Sequence, residues 1–339
     1  MPLLPPASRM NISNPKAAKV RKAPKVLFSS LSAKFALYQA VLQDLRKYHP
    51  EAIVLGVDSN PYCPAAAKVD HFSHLPPLDQ LSDDQLMNVC RSNKITHILP
   101  SRDGELAYWS SRKNWLKKSG IEAWVSDPDY VEFCGDKLLF HDAWRESPVP
   151  PIPTHTSLPK ASSTRWVVKE RFGSGSVSLG INLSFSEAQI FSKSLDRPIY
   201  QPFIEGREFT AETWIDQQGS CHGVLLRWRD HVVDGESHHT TVFHHAEWSR
   251  LMEKVFLFHP GAWGHCLAQV LVDHSGYLHL VEINPRLGGA SPLSLHAGLN
   301  SIQWHLMEGA DELETIPQDP CFAIGKTLIK KEGCVMIQN

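Results

Sequence analysis

No two cysteines in this chain stand in a Cys-x-x-Cys pair, and the seven present, an odd number, are scattered. That pattern offers neither a disulfide framework nor a cysteine-built zinc site, and it fits a reduced compartment. No apolar run approaches the ~20 residues of a membrane span, and the N-terminus has no signal-peptide core of roughly 7–15 apolar residues. A cytoplasmic protein without a membrane partner is therefore expected. An excess of one charge is missing too: 34 Lys and Arg face 36 Asp and Glu, for a net charge of −2. Nucleic acid and anionic membrane are thus poor candidates for a main partner. What the chain does have is length and apolar content: 339 residues, 42% hydrophobic. Two or three packed lobes follow.

Acid is absent locally as well. Residues 1–24 contain no Asp or Glu, carry Arg9, Lys16, Lys19, Arg21 and Lys22, and are rich in Pro, Ser, Asn and Ala. They read as a disordered leader, because a transit peptide would need an amphipathic period. From Lys25 to about Val125, β-rich runs ("KVLFSS", "AIVLGVD", "ITHILP", "EAWVSD") alternate with helical runs at 33–48, 82–93 and 104–118. That rhythm predicts a parallel, doubly wound sheet. The first strand enters "SSLSAK" where a dinucleotide fold would have GxGxxG, so NAD is not expected. Asp58, Arg102 and Asp103 fall near predicted strand ends, where open sheets collect ligands; turn and cap chemistry is their commoner use.

Asp127 to Arg145 reads as one capped helix, and "SPVPPIPTH" after it as the clearest linker. Beyond it the strands "RWVVKE", "IYQPFIEG", "REFTAETWID", "GVLLRWRD", "HCLAQVLVD" and "YLHLVEI" are joined by short turns. A helix-poor second half after an alternating first half implies a separate α+β lobe or pair of lobes.

The most informative stretch is "VEINPRLGGAS", residues 281–291. Side chains alternate along a strand, so Glu282 and Asn284 share a face about 7 Å apart. If Ser275 and Gly276 form a two-residue hairpin loop, Gln269 lies opposite Glu282, with Cβ atoms roughly 5 Å apart. Gln269, Glu282 and Asn284 then converge as oxygen donors with no thiol and no paired imidazole. Such a set suits a hard cation that completes its shell with water and phosphate, as Mg²⁺ does. Arg286 next to it can grip a phosphoryl oxygen or a carboxylate, and Gly288-Gly289 lets backbone N–H groups approach the same anion. Magnesium-assisted phosphoryl transfer needs those parts together.

Two further stretches point to a nucleotide. In "WVVKERFGSGSVSLG", Lys169 ends a strand before a Gly173-Ser174-Gly175-Ser176 loop that either cradles phosphate or simply joins strands. In "YQPFIEGREFTAE", Gln201 ends a strand that can offer backbone groups to an adenine edge, and Glu208 follows as a ribose acceptor or a solvated strand residue.

The order Asp136-Lys137, Lys169 with its Gly/Ser loop, Gln201 to Glu208, Gln269, and Glu282-x-Asn284-Pro285-Arg286 resembles the ATP-grasp superfamily. Within it the similarity is to the carboxylate–amine ligase and carbamoyl-phosphate-synthase-like branch, over about residues 25–310. The resemblance implies a Rossmann-like pre-ATP-grasp domain (25–125), a linking helix and lobe with a glycine-rich lid (126–205), and a catalytic lobe (206–339). It also implies roles. Lys137 and Lys169 would contact ATP phosphates; Ser174, Gly175 and Ser176 would form the lid. Gln201, the Pro202 carbonyl and the Ile204 N–H would face adenine, with Glu208 on the ribose. Gln269 and Glu282 would hold one Mg²⁺, Glu282 and Asn284 a second, with Mn²⁺ able to substitute, and Arg286 would steady the phosphoryl group. The chain departs from the family in Glu170, where a proline commonly follows the lysine, and in a last lid glycine delayed to Gly180. Alternation turns the Glu170 side chain away from the side Lys169 faces.

The implied activity is ATP-dependent ligation of a small carboxylate to an amine through an acyl phosphate, with release of ADP and phosphate and no covalent enzyme intermediate. A homodimer is the oligomer to test. Between the motifs, Arg227, Arg229 and His238 are candidate contacts to an acidic substrate, whereas the two His-His pairs alternate faces and do not make a metal site. The alternatives are a carboxyphosphate-forming carboxylase or carbamoyl-phosphate-type kinase, and a non-catalytic ATP-binding module.

Overall fold

The structure, a computed structural model, describes residues 22–160, 165–173, 175, 178–331 and 334–338. Most of the basic leader lies outside these residues, but Pro24 is already part of the fold: it is buried, and its carbonyl accepts from the Ile53 N–H.

The expected doubly wound sheet is present. Strands β1 (Lys25–Phe28), β2 (Ile53–Asp58), β3 (Phe72–His74), β4 (His97–Leu99) and β5 (Glu122–Ala123) form a parallel sheet in the order β3-β2-β1-β4-β5. Helix α1 (Phe35–Tyr48) covers one face, α2 (Asp83–Ser92) and α3 (Leu106–Lys118) the other. Because both faces are covered, neighbouring residues bury in opposite layers: Val26 and Phe28 pack with α1, Leu27 with α2 and α3. Strand β3 is the strand of this sheet that the sequence reading omits, a short edge piece without a β-rich run. Asp58 does turn chemistry, accepting from the N–H and hydroxyl of Ser32 and from the Asn60 N–H.

The single helix expected over 127–145 is two, α4 (Pro128–Gly135) and α5 (Lys137–Trp144). Asp136 breaks the run: its backbone is extended (φ −115, ψ 108), and its carboxylate caps α5 through the N–H groups of Leu138 and Leu139. Asp127, the expected cap, makes no side-chain cap bond and pairs with Lys113 instead. The proline-rich segment that follows is no slack linker. Val149 and Ile152 are buried, the Ile152 N–H donates to the Leu280 carbonyl and the Leu280 N–H to the Pro150 carbonyl, and His155 exchanges both backbone bonds with Tyr200. It is a strut between two sheets.

The first of these is small and antiparallel, β7-β6-β8, with β6 (Trp166–Glu170), β7 (Gly180–Leu183) and β8 (Pro198–Pro202) backed by α6 (Phe185–Ser192). Gly180 opens β7 at a position where a Cβ would collide with the side chains of Leu183 and Phe191. The second sheet has seven strands in the order β13-β12-β9-β10-β11-β14-β15. These are β9 (Gly206–Ile215), β10 (Cys221–Val233), β11 (Glu236–Phe243), β12 (Gly264–Asp273), β13 (Leu278–Asn284), β14 (Thr327–Lys331) and β15 (Cys334–Gln338), with α7 (Ala246–Phe256), α8 (Ser291–His296) and α9 (Ser301–Gly309) among them. In these two sheets the sequence reading omits β7, β11, β14 and β15. One face, with Phe209, Leu226 and Val270, is sealed by α4, α5 and α7. The opposite face is covered at one end only, where Trp214 and Leu225 pack with α8 and α9. Toward the other end the same alternation presents Thr210, Glu208, Arg227 and Gln269, and the face is left open as the floor of a cleft. Among the described residues, no helix is long and apolar enough to cross a membrane.

Candidate active site

The cleft holds about 980 Å³ between the two antiparallel sheets and the C-terminal edge of the parallel one. Its floor is ordered by strand register. Gln269 pairs with Glu282 on one side and Thr210 on the other, and Thr210 pairs with Arg227, so four polar side chains form one transverse row across β13, β12, β9 and β10.

The expected opposition of Gln269 and Glu282 is present, but by another route. The β12–β13 turn is one residue longer than assumed, with Asp273 bonding Tyr277, and Val272, Leu271 and Val270 follow that shifted register. A β-bulge between Gln269 and Val270 then takes up the extra residue and restores the pairing. Asn284 donates from Nδ2 to Glu282 Oε1 at 2.8 Å, which confirms their common face and leaves the amide oxygen of Asn284 for another partner. One carboxylate and two amides are a hard-oxygen set that fits Mg²⁺ if phosphate and water fill the shell. Among the described residues there is no cluster of three or more His, Cys, Asp or Glu that would suit a different ion.

The small lobe and the start of α5 contribute cations. Lys169 is half-buried and lines the cleft, and no hydrogen bond or ion pair joins its ammonium to a described residue. Burial, offset in part by the nearby Glu282 carboxylate, lowers its pKa to about 8. An uncompensated half-buried cation is a seat for an anion. Lys137 donates to the carbonyls of Gly173 (2.7 Å) and Arg171 (3.4 Å), so it ties down the start of the glycine-rich loop while one of its three donors remains. Gly175 lines the cleft; Ser174 and Ser176 lie outside the described residues. Glu170 faces away as expected, accepting from the N–H groups of Asp196 and Arg197.

Gln201, Pro202 and Ile204 form the back wall. The Gln201 side chain is buried and donates to Thr154, and the Ile204 N–H makes no bond to a described residue. Glu208 stands at the cleft with Arg229 3.0 Å away; burial raises its pKa, and Arg229 opposes that shift.

Arg286 is held by a residue whose sequence reading favoured a cap. Asp103, from the loop after β4, accepts from its Nε and Nη2 at 2.5 Å each, and the Leu287 carbonyl accepts from Nη1. A guanidinium has five N–H donors, so an Nη1–Nη2 edge with two of them is left for an anion. Asp103 thus aims Arg286 from the neighbouring domain.

Sequence reasoning missed Thr210 and Lys34, both of which line the cleft. Thr210 was findable: it is two residues from Glu208 on the same strand face. Its hydroxyl is buried without a partner among the described residues, a state that costs about 1–3 kcal/mol unless a ligand or water satisfies it. Of the three candidates on β10 and β11, Arg227 and Arg229 line the cleft, whereas His238 does not and instead stands beside His231.

Two family descriptions match the chain: an ATP-grasp domain over residues 134–290 and a PylC-like N-terminal domain over 26–124. No curated protein matches by sequence. Among solved structures, the chain resembles N5-carboxyaminoimidazole synthetase from Staphylococcus aureus in complex with ADP, with TM-score 0.70 and 13% identity over 92% of this chain and 83% of that one. It also resembles the biotin carboxylase domain of Hydrogenobacter thermophilus 2-oxoglutarate carboxylase, in complex with MgADP, ADP and bicarbonate, with TM-score 0.69 and 15% identity over 90% of this chain and 74% of that one. A third is the L-amino acid ligase of Bacillus licheniformis, with TM-score 0.67 and 13% identity over 91% and 79%. A Rossmann-like domain leading into two antiparallel lobes that enclose a cleft, together with these two matched segments, places the chain in the ATP-grasp superfamily, with a PylC-like N-terminal domain ahead of its ATP-grasp domain.

Proposed function

We propose that this protein is an ATP-dependent carboxylate–amine ligase that forms an amide through an acyl phosphate. The carrying observation is the gathering of Lys137, Lys169 and Arg286 in one cleft with Glu282, Asn284 and Gln269. Three cations and a hard-oxygen set in one place are what transfer of a terminal phosphoryl group demands. Pro202, Ile204 and Glu208 supply the adenine and ribose end of that nucleotide, and the Ser174–Ser176 loop its cover.

Gln269 with Glu282 would hold one Mg²⁺ and Glu282 with Asn284 a second, and Mn²⁺ meets the same oxygen donors. These ions neutralise phosphate charge when bound. Lys137 and Lys169 hold the phosphates in line, and the open edge of Arg286 orients the oxygens of the moving group. The substrate carboxylate oxygen attacks the terminal phosphorus, the bond to the bridging oxygen breaks, and ADP leaves with that electron pair. The amine nitrogen then attacks the acyl carbon, inorganic phosphate departs with its oxygen, and the amine proton passes to solvent. The chain provides position and charge throughout.

The setting we infer is cytoplasmic, and a homodimer is supported by the biotin carboxylase domain crystallised as a dimer. A second reading, carboxyphosphate formation from bicarbonate, is favoured by that same likeness. One experiment separates them. With ATP, Mg²⁺ and an acid but no amine, hydroxylamine should trap a hydroxamate, the nucleotide product should be ADP, and Arg286→Ala should suppress the signal. AMP as product would overturn both readings, and turnover with bicarbonate alone would select the second.

A further inference from the structure

We propose that Arg227, Thr210 and Ser237 form a second anion subsite in the cleft and that its ligand is a planar carboxylate, from an organic acid or from bicarbonate. The proposal rests on the phosphoryl-transfer reading above and names where the acceptor binds.

Arg227 is built into the wall. Its side chain is 3% exposed, its Nε donates to Glu212 at 2.7 Å and its Nη1 to Thr240 at 3.3 Å, and Nη2 donates to no described residue. The groups behind it are fixed in turn. His265 bonds the other oxygen of Glu212 at 2.9 Å, and Ser301 bonds the far nitrogen of His265 at 2.9 Å. A long, flexible side chain is thereby reduced to one orientation at the cleft.

Two hydroxyls complete the subsite. Thr210 and Ser237 are 0% and 4% exposed, both line the cleft, and neither hydroxyl has a partner among the described residues. Buried hydroxyls without partners are uncommon in folded proteins, and here two occur on the cleft wall that also carries Arg227. Each needs an acceptor or a donor from outside the chain.

Position and charge select the ligand. Thr210 lies beside Gln269 in the transverse row, so the subsite adjoins the metal donors on the side away from Glu282. The triphosphate has its own cations, Lys169 on the small lobe and Lys137 at the start of α5. Around the subsite, Glu212 neutralises Arg227 and Glu208 neutralises Arg229. Little net charge with several directed donors fits a single planar carboxylate better than a phosphate dianion.

The test begins with wild-type protein titrated with a fluorescent ADP analogue and Mg²⁺; absence of binding would remove the phosphoryl-transfer reading itself. Phosphate release from ATP is then measured with bicarbonate, a monocarboxylic acid, a dicarboxylic acid and an α-amino acid in separate arms. Thr210→Val, nearly isosteric, and Ser237→Ala, on another strand, should each raise KM for the stimulating acid roughly tenfold, about one charge-assisted hydrogen bond. The Kd for the nucleotide should stay within about twofold, because neither hydroxyl is among the groups assigned to the nucleotide. Arg227→Lys should raise KM further and rescue less than its retained charge suggests. The proposal is overturned by an unchanged KM in both hydroxyl variants, by a parallel loss of nucleotide affinity, or by nucleotide binding with no carboxylate in the panel stimulating release.

Discussion

The two sheets that face each other across the cleft are built to different standards. The seven-stranded sheet has large side chains on both faces, with Phe209, Phe256 and Trp144 on one and Trp214, Leu225 and Trp304 on the other. The three-stranded lobe has a core of four buried residues, Trp166, Val168, Ala188 and Tyr200. It is held in place from its rim: by Arg171, whose guanidinium bonds both oxygens of Asp136, and by the strut over residues 149–155. The large sheet sets distances that must not change, those among Gln269, Glu282, Asn284 and Arg227. The small lobe carries Lys169 and the glycine-rich loop, which need only come close. Rigidity is concentrated where geometry decides the chemistry, and the adjustable wall meets the flexible part of the ligand.

That contrast can be broken on either side, and the side determines the size of the effect. On the rigid floor, Glu282→Gln removes the only carboxylate of the donor set without changing shape. Steady-state phosphate release should fall by about a hundredfold or more, with an unchanged thermal midpoint.

On the adjustable wall, Lys169→Met should weaken ATP about tenfold by titration calorimetry and leave the fold intact. Lys169 also predicts a pH dependence. Its folded pKa is lowered from 10.5 to about 8, so the ammonium is charged below that pH and ATP affinity should decline as pH rises past about 8. Lys169→Arg should abolish that decline. The sign for folding is opposite: burying the cation costs stability below pH 8, and the cost shrinks as pH rises from about 8 toward 10.5, where the unfolded chain also loses the proton.

At the rim, Asp136→Asn should loosen the small lobe by about 1 kcal/mol, seen as faster hydrogen exchange in residues 165–202 with little change in the large sheet. Burial opposes ionisation of Asp136, but the bonds from Arg171 and the α5 amides prevail and lower its pKa below 3.8. Its contribution is therefore complete above 3.8 and lost as pH falls through the lowered value. The smallest effect belongs to Glu208→Ala, which should narrow the preference for ATP over 2′-deoxy-ATP a few-fold in competition binding.

Much of this arrangement was legible in the sequence because it rests on period and order. The alternation of strands and helices before residue 125 determines the parallel sheet, and the two-residue period of β9 and β13 places Glu208, Glu282 and Asn284 on a common face. Less legible were features decided by partners distant in the chain. Nothing local distinguishes Asp103 from a capping residue until Arg286, 183 residues away, reaches it. Asp136, which splits α4 from α5, is likewise bonded by a residue outside its own segment, Arg171. The face of Thr210 was legible from its spacing to Glu208, but a threonine on a strand carries no signal of being unpartnered. Strand β14 pairs with β11, which precedes it by more than eighty residues, so it and its hairpin partner β15 have no place in the sheet until β11 has formed against β10.

The turn between β12 and β13 has a consequence for engineering. Parity along a strand is all or nothing: an odd shift exchanges its two faces. Here two odd shifts, the extra turn residue and the bulge beside Gln269, cancel, and everything between them, Val270 to Val272, is a segment in which the count is off by one. The active residues lie on the corrected side. Cargo such as a fluorophore-bearing loop can thus be spliced at Ser275-Gly276, where Tyr277 is already 70% exposed, without disturbing the donor row, and deleting Val281, which the register leaves unpaired between Leu280 and Glu282, would straighten the ladder and keep Glu282 opposite Gln269.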